Sequence, residues 1–417
     1  MTIAPLRDPE RARHPTARDA VLLTGTTGLV GIELLVRYLE RTNRTIYALI
    51  RARSAAHADE RMAETLESAF GSADAHAGRV RALMGDIAQP GMGLDPGIAY
   101  ETAQAVTEIV HGAASISFDM DLETSRTVNV EGTREMLEFA EFCRRHGGLR
   151  RFVYISTAYV AGEHRGDFTE DDLDVGQGFR NADEQSKFEA EQLIGTYRGR
   201  FPITVARPSI IVGDSATGWT SSFNVLYWPT RALARGSYPV LPARRRSPVD
   251  VVPVDYVADA VYALAQSPDA VNRTFHLTSC EDATSIGELL RIACDKLDCK
   301  APPLISPALY RRVLAPLIGR VQPRRREFLR ATATYVPYFA VRSHFDRTKA
   351  REVLEPQGIV PAPLGDYYSR LIDYALLTGW GGRPLTRAEA AERAAREAAP
   401  APDTARVRAP KEPASSR

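Results

Sequence analysis

Short apolar runs alternate with longer segments of helical spacing between residues 20 and 280. The runs have no helical period, which is typical of strands buried on both faces, and several are followed by apolar residues three or four positions apart. They cover residues 20–24, 45–50, 80–84, 107–111, 151–155, 203–206 and 274–277. Strands that alternate with helices predict an α/β fold, a doubly wound (Rossmann) parallel sheet with helices on both faces.

Three glycines separate the first apolar run from the first helical segment. Their G-x-x-G-x-x-G spacing is a variant of the G-x-G-x-x-G fingerprint of dinucleotide-binding folds. Glycine permits the tight turn and lets the backbone approach a pyrophosphate, while the start of the following helix presents free N–H groups to the phosphates. The candidate phosphate-binding residues are Gly25, Thr26, Thr27, Gly28, Leu29, Val30 and Gly31. Taken alone, the motif is also compatible with an ordinary glycine-rich turn.

Further candidate residues follow the ends of the next strands. Arg51 and Arg53 come after the second strand, where an acidic residue would bond the ribose 2′-hydroxyl of NAD and an arginine suits the 2′-phosphate of NADP. The alternative is a pair of solvated surface arginines. Asp86 and Ile87 follow the third strand, and Ala113 lies in a run of small residues after the fourth. Because the carboxyl ends of parallel strands share one edge of a sheet, we expect these residues to converge on a cofactor.

Composition narrows the class of protein. The 417 residues carry a net charge of +1, which offers no global electrostatic case for nucleic acid as a partner. The four cysteines have no metal-ligand or redox spacing, so we expect reduced thiols and no metal site. The N-terminal residues lack the apolar core of a signal peptide, and no run is long enough for a transmembrane helix. These features predict a cytoplasmic protein and leave its oligomeric state open.

Together the motifs resemble the extended short-chain dehydrogenase/reductases. The motifs that carry this resemblance are Thr24-Gly25-x-x-Gly28-x-x-Gly31, Gly85-Asp86, His111-x-Ala113-Ala114, Asn129-x-x-Gly132-Thr133, Ser156-Thr157-Ala158-Tyr159-Val160, Arg207-Pro208-Ser209 and Val252-Pro253-Val254-Asp255-Tyr256. Three others resemble the thioester-reductase and fatty acyl-CoA reductase branch: Leu49-Ile50-Arg51-Ala52, Gln89-Pro90-x-x-Gly93-Leu94 and Gly213-Asp214-Ser215-x-Thr217-Gly218. The resemblance covers residues 20–280 well and extends more thinly to about 380. It implies an NADP-dependent oxidoreductase that passes hydride to a carbonyl or acyl thioester of a hydrophobic or aromatic substrate.

The resemblance also assigns roles at the reacting carbon. Thr157, with Ser156 as the runner-up, would orient the substrate carbonyl, and Pro208 and Ser209 would lie near the nicotinamide. Lys187 matches the lysine of the family's Tyr-x-x-x-Lys motif, which bonds the nicotinamide ribose and lowers the pKa of the tyrosine that protonates the carbonyl oxygen. His111 is expected to be structural.

The chain departs from this pattern at Asp183, which stands where the family has tyrosine. Its i, i+4 spacing to Lys187 places both on one helix face, and a nearby lysine favours an ionised carboxylate. Three interpretations stay open: Asp183 is buried and acts as the acid, another group such as Tyr159 or a water held by Thr157 donates the proton, or the usual reduction is lost. The alternative functions are accordingly a non-catalytic NADP(H)-binding protein and a sugar-nucleotide epimerase or dehydratase.

The sequence predicts four regions. Residues 1–19 form a flexible leader, and residues 20–280 form the NADP-binding domain with an aromatic substrate insertion at 214–250. Residues 281–380 form a smaller C-terminal substrate-binding or lid region, and residues 381–417 form a charged helix and a disordered tail. Within them, residues 301–345 combine an apolar stripe with many arginines, which suits a lid over the substrate or contact with an anionic membrane surface.

Overall fold

The structure, a computed structural model, describes residues 19–115, 120–223, 225–310, 312, 338 and 342–398. The strands of this part of the chain are β1 (Ala20–Thr24), β2 (Thr45–Ile50), β3 (Val80–Met84), β4 (Val106–His111), β5 (Arg151–Ile155), β6 (Arg165–Phe168), β7 (Ile203–Pro208), β8 (Ile210–Val212), β9 (Leu241–Pro242), β10 (Pro248–Val249), β11 (Val251–Pro253), β12 (Thr274–Leu277), β13 (Thr284–Ser285), β14 (Leu304–Ile305) and β15 (Arg342–Phe345). The predicted leader (except for Asp19), the tail and most of the 301–345 stretch lie outside the described residues.

The helices of the described residues mostly follow the strands of the central sheet. They are α1 (Leu29–Arg41), α2 (Ala55–Phe70), α3 (Pro96–Ala105), α4 (Leu122–Arg126), α5 (Gly132–His146), α6 (Ala182–Gly195), α7 (Tyr227–Ala234), α8 (Val254–Gln266), α9 (Ile286–Leu297), α10 (Pro307–Leu309), α11 (Thr348–Leu354), α12 (Leu364–Leu377) and α13 (Arg387–Ala398). Residues 127–131 form a π-helical turn between α4 and α5. None of these helices combines the length and apolar composition that crossing a bilayer requires.

Seven parallel strands form the central sheet, in the order β12-β7-β5-β4-β1-β2-β3. The predicted doubly wound parallel sheet is therefore confirmed. The strand order reverses between β1 and β4, and ligands of such sheets bind where the carboxyl ends flank this switch point.

Both faces of the sheet are buried, as the apolar runs predict. In β1, Val21 and Leu23 pack into a core with residues of α1, α2 and α8, whereas Leu22 packs on the opposite face with residues of α3, α5 and α6. Because successive side chains of a strand point to opposite faces, a strand covered on both sides must be apolar throughout. All five residues of β1 are buried accordingly.

The C-terminal elements pack beside this core. Residues of α7, α9 and α12 share a separate apolar cluster, and β15 pairs in parallel with β6. Helix α13 packs against α2 and buries Ala390.

The first strand, its turn and α1 are held by a close approach of two glycines. Gly25 has a φ of +80°, a left-handed conformation that favours glycine. A Cβ at Gly31 would lie 2.5 Å from the Gly25 carbonyl carbon and 2.7 Å from the Thr26 Cα, closer than real Cβ atoms come. The start of α1 therefore rests directly on the backbone of the turn.

We expect Gly31→Ala to destabilise the protein by more than about 3 kcal/mol, because the added methyl meets backbone that cannot rotate away. Gly195→Ala is the matched control, since a Cβ at Gly195 meets open space at the end of α6. It should change stability by no more than about 1 kcal/mol, in the stabilising direction. Thermal unfolding of the two variants measures both effects, and equal melting temperatures would contradict the close contact at Gly31.

Candidate functional site

A cleft of about 1120 Å³ opens at the carboxyl edge of the sheet, at the switch point. The predicted site residues that line it are Gly25, Thr27, Gly28, Leu29, Val30, Gly31, Arg51, Asp86, Ile87, Ala113, Thr157, Asp183, Lys187 and Pro208. Thr26, Arg53 and Ser209, also predicted, lie outside its lining: Thr26 and Ser209 are buried, and Arg53 is exposed to solvent. Most of the candidates thus converge, although they come from distant parts of the sequence.

The glycine turn forms one end of the cleft. Gly28 directly precedes α1, and no side chain caps the N-terminus of this helix, so its first N–H groups have no side-chain partner. The hydroxyl oxygen of Thr26 is buried and has no hydrogen-bond partner among the described residues. A glycine cradle at an uncapped helix start fits the pyrophosphate of a dinucleotide.

Two arginines lie on the side of the cleft next to β2. Arg51 is exposed at its rim, and Arg61 of α2 donates hydrogen bonds to the Arg51 carbonyl at 2.6 Å and to the Thr27 hydroxyl at 3.3 Å. Arg61 was not among the sequence candidates. In the sequence, Arg61 directly precedes Met62, one of the buried residues of α2. This position indicates that Arg61 lies close to the sheet, but it does not indicate that Arg61 reaches the turn after β1. Asp86, which follows β3, also lines the cleft and accepts a hydrogen bond from the Ala88 N–H at 3.0 Å.

A hydrogen-bond chain holds the ends of β1 and β4 together. The Thr24 hydroxyl oxygen accepts from the N–H groups of Gly112 and Ala113 at 3.1 and 3.0 Å, and lies 2.8 Å from His111 Nδ1. Because the Thr24 oxygen already accepts two hydrogen bonds, its hydroxyl donates to Nδ1 of His111. The imidazole proton of His111 is therefore on Nε2, which lies 3.3 Å from the Thr133 hydroxyl. Burial, reinforced by the nearby Lys187, lowers the pKa of His111 to about 3. His111 is therefore a neutral structural residue, as the sequence suggested.

Lys187 lies on α6 with its ammonium group turned towards the end of β5. Its Nζ donates to the Ile155 carbonyl at 3.3 Å and lies 5.3 Å from the centre of the Tyr154 ring. Burial lowers the pKa of Lys187, although the carboxylates of Asp183 and Glu191 oppose this effect.

Asn129, in the π-helical turn, positions α6 from the other side. Its amide donates to the Ser186 hydroxyl at 2.9 Å, and its Oδ1 accepts from the Ser115 N–H at 2.9 Å. The sequence showed Asn129 as part of a family motif, but only these contacts show that it connects α6 to the segment after β4. π-helical turns of this kind occur frequently at functional sites.

The two hydroxyl residues after β5 both line the cleft. Thr157 is partly exposed, and its hydroxyl accepts from the Tyr159 N–H at 3.2 Å and donates to the Pro208 carbonyl at 3.4 Å. The Ser156 hydroxyl is buried and finds no partner within the described part of the chain.

Asp183 also faces the cleft. The described residues supply no hydrogen-bond partner for its buried Oδ1, and their ion pairs include none between Asp183 and Lys187. Burial raises the pKa of Asp183 to about 6, against the opposing charge of Lys187 and with help from Glu184. Desolvation thus opposes the ionised form, which the neighbouring lysine favours.

The far wall of the cleft is aromatic. Trp228 and Val225 come from the 214–250 segment, and Tyr338 comes from the 301–345 stretch. The Tyr159 and Tyr338 rings meet edge to face at 5.2 Å, and the Tyr159 hydroxyl donates to the Asp250 carbonyl at 3.4 Å. Trp228 is one of the aromatic residues of the 214–250 insertion that were expected to cover a substrate pocket, whereas Tyr338 was not singled out from the sequence.

Similarity to known proteins identifies the family of this chain. Residues 23–261 match the NAD-binding family whose model is described as male sterility protein. The chain is 33% identical over 274 residues to an isonitrile lipopeptide synthase of Streptomyces coeruleorubidus, a match that covers 64% of this chain and 18% of the synthase. It is 29% identical over 297 residues to a carboxylic acid reductase of Mycobacterium tuberculosis, covering 63% of this chain and 24% of the reductase.

Among solved structures, the terminal R domain from the myxalamid PKS-NRPS biosynthetic pathway matches with a TM-score of 0.74 at 23% identity. This match covers 88% of the chain and 92% of that domain, so the two share their fold over nearly their whole length. The chain spans less than a quarter of the length of the two curated relatives. It belongs to the NAD-binding male sterility family, the thioester-reductase-like branch of the extended short-chain dehydrogenase/reductases.

Proposed function

We propose that this protein uses NADPH to reduce the thioester or carbonyl group of a hydrophobic or aromatic acyl substrate. The observation that carries the proposal is one continuous cleft that joins the glycine turn, Lys187, Thr157 and an aromatic wall. Hydride transfer to a carbonyl needs a bound nicotinamide, a donor for the developing negative charge on oxygen, and exclusion of water. Residues suited to each need share this cleft.

The preference for NADPH rests on two arginines. Arg51 and Arg61 lie on the β2 side of the cleft, where the sequence places no acidic residue after the strand. A guanidinium group binds a phosphate with paired hydrogen bonds, whereas a ribose 2′-hydroxyl offers it no charge. When bound, NADPH supplies the hydride.

The protein's own groups would then organise the reaction. The Thr157 hydroxyl, partly exposed to the cleft, donates to the substrate oxygen in place of its long bond to Pro208. Lys187, held by the Ile155 carbonyl, presents its remaining N–H groups to the nicotinamide ribose. Pro208 has no N–H group and adds no competing donor at this edge.

The relatives support an acyl substrate. A carboxylic acid reductase and the terminal R domain of a PKS-NRPS pathway are among the proteins that this chain resembles. An acyl group presented as a thioester suits a cleft whose far wall is aromatic, because the acyl chain can pack there while the carbonyl meets Thr157.

A non-catalytic NADP(H)-binding protein is the second candidate. Asp183 in place of the family tyrosine is the observation that favours it. Cofactor binding needs the glycine turn and Lys187 but no proton donor. A protein of this kind would bind NADPH and consume none with any acyl substrate.

The cofactor assignment predicts how three arginine variants bind. Arg51→Ala and Arg61→Ala should each weaken NADPH binding by about tenfold or more and leave NADH affinity nearly unchanged, since a lost charged hydrogen bond costs about 1.5–3 kcal/mol. Arg53→Ala is the matched control, because Arg53 lies outside the cleft lining. Fluorescence titration with both cofactors measures these affinities. Equal losses for NADPH and NADH would show that the arginines do not read the 2′-phosphate.

The role of Thr157 predicts a selective loss of turnover. Thr157→Val should lower kcat with an acyl thioester by about 100-fold or more, the usual effect of removing one donor to a developing oxyanion, without changing NADPH affinity. Thr157→Ser keeps the hydroxyl and should retain most of the activity.

Ser156→Ala separates the two neighbouring hydroxyls in the same assay of NADPH consumption and aldehyde formation. Because Ser156 is buried, we expect a much smaller effect than that of Thr157→Val. A larger loss for Ser156→Ala would transfer the orienting role to Ser156.

A further inference from the structure

We propose that Asp183 is the proton donor of this site, taking over the task of the tyrosine that the family carries at this position. This inference rests on the proposed reduction of an acyl carbonyl. It explains how a chain without that tyrosine completes the reaction, and it replaces a phenol by a carboxylic acid at the reacting oxygen.

The position of Asp183 on α6 is the first support. Asn181 caps the helix by accepting from the Glu184 N–H, so Asp183 lies in the first helical turn, four residues before Lys187. Residues four apart lie on the same side of a helix, and both side chains line the cleft together with Thr157. The carboxyl group therefore shares a pocket with the hydroxyl that would meet the substrate carbonyl.

The neighbouring contacts leave this carboxyl available. The Lys187 ammonium group is directed to the Ile155 carbonyl and the Tyr154 ring rather than to Asp183. Oδ1 of Asp183 is enclosed and unpaired within the described part of the chain. A buried carboxyl oxygen without a donor is costly to ionise, so the protonated form gains relative to an exposed aspartate.

The charged and titratable groups around Asp183 act in opposite directions. On α6, Lys187 favours the ionised form and Glu184 disfavours it, while Glu184 is itself paired with Arg180 at 3.0 Å. The helix N-terminus also favours an anion. Desolvation nevertheless brings the pKa to about 6, where a carboxylic acid can still donate near neutral pH.

The other elements facing this region contribute neutral groups. His111 on β4 is neutral, and burial raises the pKa values of Tyr154 and Tyr159 above that of an ordinary tyrosine. Tyr159 is the other donor suggested by the sequence, but its hydroxyl already donates to the Asp250 carbonyl and burial makes it a weaker acid. Asp183 is thus the better placed acid of the two.

The reaction balances with Asp183 as acid and then as base. Hydride adds to the thioester carbon, the electron pair of the C=O double bond moves to oxygen, and this oxygen takes the Asp183 proton to give a hemithioacetal. The Asp183 carboxylate then recovers the hydroxyl proton while the C–S bond breaks, which gives an aldehyde and a thiolate. The thiolate takes a proton from solvent. The sum is acyl thioester plus NADPH plus one proton, giving aldehyde, thiol and NADP⁺.

Rates measured against pH test the donor directly. For the wild type, kcat/KM should fall about tenfold per pH unit above pH of about 6, as the acid becomes ionised. Asp183→Asn should lower kcat by about 100-fold or more while NADPH affinity, measured by fluorescence titration, stays within about threefold. Asp183→Tyr should move the descending limb to higher pH. A wild-type rate and pH profile in Asp183→Asn would overturn the proposal and leave the proposed reduction standing.

Thermal stability of the cofactor-free protein gives a second readout. A carboxyl whose pKa is raised on folding contributes stability that is present below its unfolded pKa and is lost as the pH rises through about 6. Asp183→Asn cannot ionise, so its melting temperature should exceed that of the wild type at about pH 8 and match it at about pH 4. Asp59→Asn, on the exposed face of α2, is the control: its melting temperature should differ from that of the wild type by the same amount at both pH values. If the difference in melting temperature did not depend on pH, the pKa of Asp183 would not be raised on folding, and the proposal would be overturned.

The outcomes separate this inference from the proposed function. If the wild type binds NADPH and reduces no acyl thioester or aldehyde at any pH, the proposed function fails and this inference fails with it. If only Asp183→Tyr turns over substrate, Asp183 is not a donor and the chain keeps a reductase scaffold without the reaction.

Discussion

The approach of Gly31 to the backbone of Gly25 is the constraint on which the rest of the site depends. Helix α1 begins directly on the turn after β1, so its uncapped first N–H groups face the switch point of the sheet. The same turn presses against the backbone of Gly112 and Ala113, which Thr24 holds through its hydroxyl oxygen. Any side chain at these contacts would separate α1 from β1 and β1 from β4. The cleft keeps its shape because the glycines let these backbone segments touch without side chains between them.

The reacting end of the cleft depends on a second set of contacts, which attach α6 to the sheet. Lys187 reaches the last carbonyl of β5, and Asn129 joins Ser186 to the backbone of Ser115. Most of these donors and acceptors are buried and paired, so α6 cannot shift without leaving polar groups unsatisfied. This arrangement fixes the side of α6 that carries Asp183 and Lys187 against the hydroxyls that follow β5. One pocket thus holds the Asp183 carboxyl, the Lys187 amine and the Thr157 hydroxyl, the three groups that the proposed hydride transfer uses.

Desolvation acts on three titratable groups of this region with different results. It lowers the pKa of His111 to about 3, and the hydrogen bonds of the neutral imidazole make that residue purely structural. It also lowers the pKa of Lys187, but two carboxylates oppose the shift. It raises the pKa of Asp183 to about 6 because the attraction of Lys187 is the weaker effect. Burial therefore keeps His111 neutral, lowers the pKa of Lys187 only against the opposing carboxylates, and gives Asp183 the raised pKa that the proposed proton transfer needs.

The sequence by itself determined the sheet, the turn and the side of the sheet on which the site lies. Apolar runs and glycine spacing are local patterns, and the carboxyl ends of parallel strands must share an edge. Only the tertiary structure decided that Arg61 and Tyr338 reach the cleft while Thr26, Arg53 and Ser209 lie outside its lining. It also decided how far Asp183 is desolvated: the sequence left its protonation open, because its pKa depends on how many atoms from distant segments exclude water from it. Burial is a property of the assembled fold, and no spacing along the chain encodes it.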